Sequence, residues 1–114
     1  MIAVIFEFTA AEGRFDDYKK LAEGLGDEVR KIDGFISIER FQSIAAPERF
    51  VSLSFWRDEE AVRQWRNVQK HREAQAQGRG GIFSGYRLRI CQVLRDYGMR
   101  ERGEAPKDSV AAHG

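Results

Sequence analysis

A β-sheet that turns one face to water alternates apolar and polar side chains along its strands. The strand-like segments of this chain break that rule. From Ile2 to Thr9, one face carries Ile2, Val4, Phe6 and Phe8, and the other carries Ala3 and Ile5 before Glu7 and Thr9. Between Arg49 and Trp56, Phe50 and Trp56 lie on one side and Val51, Leu53 and Phe55 on the other. From Tyr86 to Asp96, Tyr86, Leu88, Ile90 and Leu94 oppose Cys91 and Val93. Helices on one side of a sheet leave its other side bare. The second apolar face is therefore expected to meet another copy of the chain, because burying one large apolar side chain is worth about 1.5–3 kcal/mol. The C-terminal tail is too polar to serve as the cover.

The remaining segments complete a βαββαβ order. From Arg14 to Lys31, Phe15, Tyr18, Leu21, Ala22, Leu25 and Val29 recur at helical spacing. Gly24 and Gly26 weaken this helix, and Asp33-Gly34 reads as its stop, with Gly34 suited to the left-handed position past a helix end. Phe35 to Phe41 alternates as a strand. Pro47 lies in the connection to the next strand, which predicts a hairpin. Asp58 is a good helix cap, with Glu59 and Glu60 in the favourable first turn of a helix reaching about Gln77. Gly78, Gly80 and Gly81 end it. The predicted architecture is α+β and ferredoxin-like: a four-stranded antiparallel sheet with two helices on one face. Residues 1–97 form the domain, and residues 98–114 a tail, mobile unless a partner orders it.

Charge is nearly balanced, with 19 basic and 18 acidic residues, so the chain has no global attraction for nucleic acid or anionic lipid. Cys91 is the sole cysteine, which rules out an intrachain disulfide and fits a reducing compartment. The apolar N-terminus lacks a basic region and is cut short by Glu7, so a signal peptide is not expected. No apolar run approaches the roughly 20 residues of a membrane span. The expected location is the cytoplasm.

The segment Leu53 to Trp65, containing Trp56 and Trp65, resembles the antibiotic biosynthesis monooxygenase domain. So do His71-Arg72-Glu73-Ala74-Gln75, Gly78-Arg79 and the closing Tyr86-Arg87-Leu88-Arg89-Ile90. The resemblance runs from about Ile2 to Tyr97. It implies a dimeric α+β barrel, in which two ferredoxin-like sheets pack face to face as a homodimer. It also implies varied activities, among them oxygenation of phenols without metal or flavin, heme degradation and quinone binding, so the fold alone does not fix the chemistry. Heme-degrading relatives carry an asparagine at the position equivalent to Phe6 and a longer spacing than Trp65 to His71. Both departures count against heme.

Cofactor-free oxygenation needs an electron-rich substrate, a dry pocket, a proton acceptor and a hydrogen bond to the developing oxyanion. Of the two histidines, His71 falls within the domain and His113 within the tail. His71 lies on the flank of the stripe formed by Ala61, Val62, Trp65 and Val68, where it faces either a pocket rim or solvent. It is the candidate base. Arg72 falls nearer the centre of that stripe, so either the helix bends or ends before it or the arginine enters a cavity. Trp65, Arg72, Phe83 and Tyr86 are the candidate substrate-binding residues. Arg87 and Arg89 share a strand face, where they bind an anionic substrate or pair with acids such as Glu7 or Glu39 at the dimer interface; pairing is expected, as it is for Arg63 with Glu59. There is no His/Cys cluster at ligand spacing and no phosphate-binding glycine loop after a strand, so neither metal nor other cofactor is expected. The expected function is a cofactor-independent monooxygenase acting on a small aromatic, phenolic or quinone-like compound. The alternative is a non-catalytic dimeric small-molecule-binding or stress-response module.

Overall fold

The computed structural model describes residues 1–76 and 81–114, and the side chains of residues 69–76 are not among those described. The elements are β1 (Ile2–Ala10), α1 (Phe15–Val29), β2 (Phe35–Gln42), β3 (Arg49–Trp56), α2 (Glu59–Ala76), β4 (Phe83–Gln92) and α3 (Lys107–His113). The four strands form one sheet in the order β2-β3-β1-β4, and every neighbouring pair is antiparallel. This is the ferredoxin-like α+β arrangement the sequence predicts.

Register fixes which side chains share a face. The helix-facing side carries four transverse rows, read from β2 to β4: Phe35, Trp56, Ile2, Gln92; then Ile38, Ser54, Val4, Ile90; then Arg40, Ser52, Phe6, Leu88; then Gln42, Phe50, Phe8, Tyr86. The core of Ile2, Leu25, Val29, Trp56, Ala61, Val62 and Trp65 sits over the first row, with Val4, Leu21, Ile38 and Val68 packed against it. In α1 the buried residues Tyr18, Leu25 and Val29 return at multiples of the helical repeat, so tertiary burial outweighs the cost of Gly24 and Gly26 inside the helix. Asp58 caps α2 by accepting the Ala61 amide at 2.9 Å, and this bond, followed by Arg57, holds its carboxyl below the usual carboxylate range.

Several boundaries differ from the sequence reading. Helix α1 stops at Val29, and Gly34 occupies the entry to β2 at φ 94 rather than the position just past the helix. A Cβ there would stand 2.8 Å from the Ala61 Cβ, so glycine lets this loop touch the start of α2, where the Arg57 amide donates to the Gly34 carbonyl at 2.7 Å. Strand β4 begins at Phe83 and ends at Gln92, which leaves Leu94 beyond the sheet and 83% exposed. Arg63 pairs with Glu60, one turn earlier, and not with Glu59. The end of α2 at Gly78, Gly80 and Gly81 was read from residues mostly outside those described.

The far side of the sheet carries Ala3, Ile5, Val51, Leu53, Phe55, Phe41 and Cys91, and neither α1 nor α2 lies over it. Glu7 sits among them and accepts from Arg89 at 2.8 Å, with Arg49 at 3.7 Å. Of the two arginines expected to pair, Arg89 does so within one chain, and Arg87 has no ion pair among the described residues. Strand β3 is revealing here, because its helix-facing side sets Ser52 and Ser54 between Phe50 and Trp56, while Val51, Leu53 and Phe55 follow Arg49 on the side that faces away. After β4 the chain forms α3, an element without an apolar period, which buries none of its residues. Arg102 fastens this segment by donating to the Gly98 and Gly114 carbonyls and lying over the Tyr97 ring at 5.3 Å. The radius of gyration is 16.7 Å, against roughly 13 Å for a compact chain of this length.

Gly34→Ala is expected to destabilise the fold by about 1–3 kcal/mol, because it adds both a left-handed alanine and a clash with Ala61. Thermal melting monitored by circular dichroism measures this, and an unchanged midpoint would contradict the close approach.

Candidate functional site

Two packed clusters divide the space between sheet and helices. One is the core around Trp56 and Trp65, whose rings stack at 6.2 Å. The other is a run of aromatic rings. Phe8 packs on Tyr18 at 4.4 Å, on Phe6 at 5.1 Å, on Phe83 at 5.3 Å and on Phe50 at 5.6 Å. Phe15 extends it onto Phe50, and Tyr86 onto Phe6 and Phe83. The expected pair Phe83 and Tyr86 thus comes together at one end of the sheet. Trp65 does not join them; it is buried in the first cluster. His71 and Arg72 lie in the last turns of α2, and their side chains are outside the described residues.

The middle rows run along the junction of the clusters. On β3 this junction is floored by serine, where a sheet centre under two helices ordinarily carries bulky apolar residues. Ser54 accepts the indole N–H of fully buried Trp56 at 2.8 Å. Ser52 is nearly buried, and its hydroxyl has no hydrogen-bond partner among the described residues. Toward β4 the helix-facing side opens, with Ile90 42%, Leu88 50% and Tyr86 69% exposed. This strip of the sheet, with small hydroxyls at its centre, aromatic rings at one end and an exposed apolar edge, is the candidate cleft.

One polar pair faces this cleft from the β2 side. The Tyr18 hydroxyl accepts from Arg40 Nε at 3.0 Å. Burial pushes the phenol above its ordinary range, and the neighbouring guanidinium partly offsets that rise. Among the described residues, no three His, Cys, Asp or Glu side chains group so as to hold a metal ion. No helix among them is long and apolar enough to cross a membrane.

The sequence profile of the antibiotic biosynthesis monooxygenase family matches residues 1–77, two thirds of the chain. The chain belongs to this family. A relative in Pyricularia oryzae, named jasmonate monooxygenase, is 44% identical over 82% of the chain. That alignment spans only 43% of the relative's own length. Among solved structures, Rv0793 from Mycobacterium tuberculosis superposes with a TM-score of 0.71 at 18% identity, covering 85% of this chain and 98% of that one. SnoaB from Streptomyces nogalater, described as a cofactor-independent oxygenase, superposes with a TM-score of 0.67 at 12% identity over 83% of this chain and 94% of that one. At such identities these structures establish a shared fold.

Within the family fold, Ser52, Ser54, Tyr18 and Arg40 are the cleft residues that sequence reasoning passed over. Periodicity assigned Phe50 and Trp56 to one face of β3 without registering that the serines between them share it. The available signal was that shared parity: positions 52 and 54 must point wherever Trp56 points.

The two serines are expected to respond differently to truncation. Ser54→Ala strands a buried indole N–H and should cost about 1–3 kcal/mol. Ser52→Ala removes a hydroxyl with no protein partner and should change stability by less than about 0.5 kcal/mol. Urea titrations of both variants test this, and equal losses would contradict the different surroundings of the two hydroxyls.

Proposed function

We propose that the chain is a cofactor-independent monooxygenase acting on a small aromatic, phenolic or quinone-like compound held in the helix-side cleft. The observation that carries this reading is the aromatic wall of Phe6, Phe8, Phe83 and Tyr86 beside the small hydroxyl side chains of Ser52 and Ser54. Rings offered by such a wall favour stacked or edge-on contact with a planar substrate. Family membership, and the description of SnoaB as a cofactor-independent oxygenase, support the same chemistry.

In this reading the substrate supplies the electrons. A base removes a proton beside a phenol or enol, and the resulting carbanion reduces dioxygen. One oxygen atom stays on carbon as a carbonyl and the other leaves as water. His71 takes the role of proton acceptor or oxyanion donor, with Arg72, Phe83 and Tyr86 as substrate-binding residues and Trp65 as core support behind them. General acid–base assistance is typically worth about 10²–10⁴ in rate. His71→Ala is therefore expected to lower turnover at least about tenfold on electron-rich phenols or hydroquinones, measured by oxygen uptake, while the melting temperature stays near that of the parent. Full activity in that variant would remove His71 from the mechanism. Specific ligand binding without oxygen uptake across the panel would favour the binding-module alternative.

The same proposal includes a homodimer through the sheet face that α1 and α2 leave uncovered. Support comes from β3, whose apolar side faces away from the helices. Ile5, Val51, Leu53 and Phe55 are half-buried in the single chain, and covering what remains exposed of each contributes part of the about 1.5–3 kcal/mol that full burial is worth. Light scattering behind gel filtration is expected to return twice the chain mass, and Leu53→Glu should shift the population to monomer. A parent protein that is monomeric at micromolar concentration would defeat this assembly.

A further inference from the structure

Among the described residues, Arg14, Arg49, Arg57, Arg63 and Arg89 lie within ion-pair distance of carboxylates. Arg40 has no such pair among them, and unlike the other arginines without one it shares a sheet face with the candidate cleft. It sits on the helix-facing side of β2, in the row Arg40, Ser52, Phe6, Leu88, and among the described residues its hydrogen bond goes to the neutral hydroxyl of Tyr18. That bond uses Nε and leaves both Nη groups without a described partner.

Three donors then lie on the β2 side of this row: Arg40 and Tyr18 in contact, and Ser52 as the register partner of Arg40. Because the Tyr18 oxygen accepts from Arg40, its own proton is left to donate elsewhere, and no described acceptor takes it. The Ser52 hydroxyl next to Arg40 in the row is equally unclaimed. An arginine fork with its Nη edge open matches the two oxygens of a carboxylate, and charge-assisted bonds of this kind are roughly twice as strong as neutral ones. The rest of the row is apolar. Phe6 and Leu88 follow Ser52 at successive strand spacings of about 4.8 Å, which puts the apolar end roughly 10 Å from the serine.

We propose that Arg40, Tyr18 and Ser52 anchor the carboxylate of a small acid whose apolar body lies along Phe6 and Leu88 toward the open β4 edge. This deepens the reading of the helix-side cleft as the substrate site and rests on it. The substrate class becomes an apolar, ring-bearing acid with its acidic group and far end about 10 Å apart. Arg40 and Tyr18 select and orient it, and the aromatic wall receives the part that reacts.

The test is a binding measurement on the full chain with 4-phenylbutanoate and its methyl ester, followed by calorimetry or tryptophan fluorescence. The acid is expected to bind at least about tenfold more tightly than the ester, with a preference that shrinks as salt is raised. Arg40→Gln should reduce the preference to less than about twofold while leaving ester affinity unchanged. Arg40→Lys should retain part of it, and Tyr18→Phe should weaken the acid severalfold. Arg40 is exposed on an edge strand, so its variants are expected to fold, and their melting curves check that. Equal binding of acid and ester, persistence of the preference in Arg40→Gln, or no acid binding at millimolar concentration would each overturn the assignment. Turnover plays no part in this readout. Oxygen uptake with neutral phenols but no acid preference would sink the anchor and spare the oxygenase, whereas an Arg40-dependent acid preference without oxygen uptake would do the reverse.

Discussion

Trp56 is the point on which this small domain turns. It is fully buried at the end of β3, with Phe35 edge-on at 5.3 Å and Trp65 stacked across from it. An indole in that position brings a polar N–H into an apolar core, and an unpaired donor there would cost far more than the bond returns. Ser54, two residues earlier on the same strand face, supplies the acceptor. The requirement for a small hydroxyl beside the tryptophan thus places polar, low-volume residues at the centre of the helix-facing side.

That choice has consequences on both sides of the sheet. Beneath the helices it prevents one continuous core. Packing instead gathers into the tryptophan cluster and the Phe8–Tyr18–Phe83 cluster, with the cleft at their junction. On the far side, strand parity puts Val51, Leu53 and Phe55 away from the face that α1 and α2 pack on. The candidate cleft and the uncovered apolar face are two outcomes of one alternation on β3. The ion pairs on Glu7 follow from the same parity, since Arg89, Arg49 and Glu7 all project to that far side.

Gly34 shows how a local reading places a residue correctly for an incomplete reason. A left-handed glycine near the end of α1 was legible from Asp33-Gly34, and the positive φ is present. Its position is set by the contact with Ala61 and by the amide of Arg57, neither of which can be seen in the stretch between α1 and β2. The late start expected for β4 has a similar origin. Phe83 joins the strand because it pairs with Ala10 and packs on Phe8, a long-range reward that no local pattern carries.

The sequence by itself determined the order of elements, the antiparallel hairpin, the cap at Asp58, the two-faced strands and the family, because period, capping chemistry and parity are local properties of the chain. It also marked Phe83 and Tyr86 as neighbours, since both follow closely on the glycine-rich stretch. Only the tertiary structure decided which strand face the helices take, and hence that Ser52 and Ser54 look inward. It alone brought Tyr18 from α1 to Arg40 on β2 and separated Trp65 from the aromatic wall. Those relations depend on sheet register and on the placement of helices over particular rows, and the energies that set them come from residues far apart in the chain.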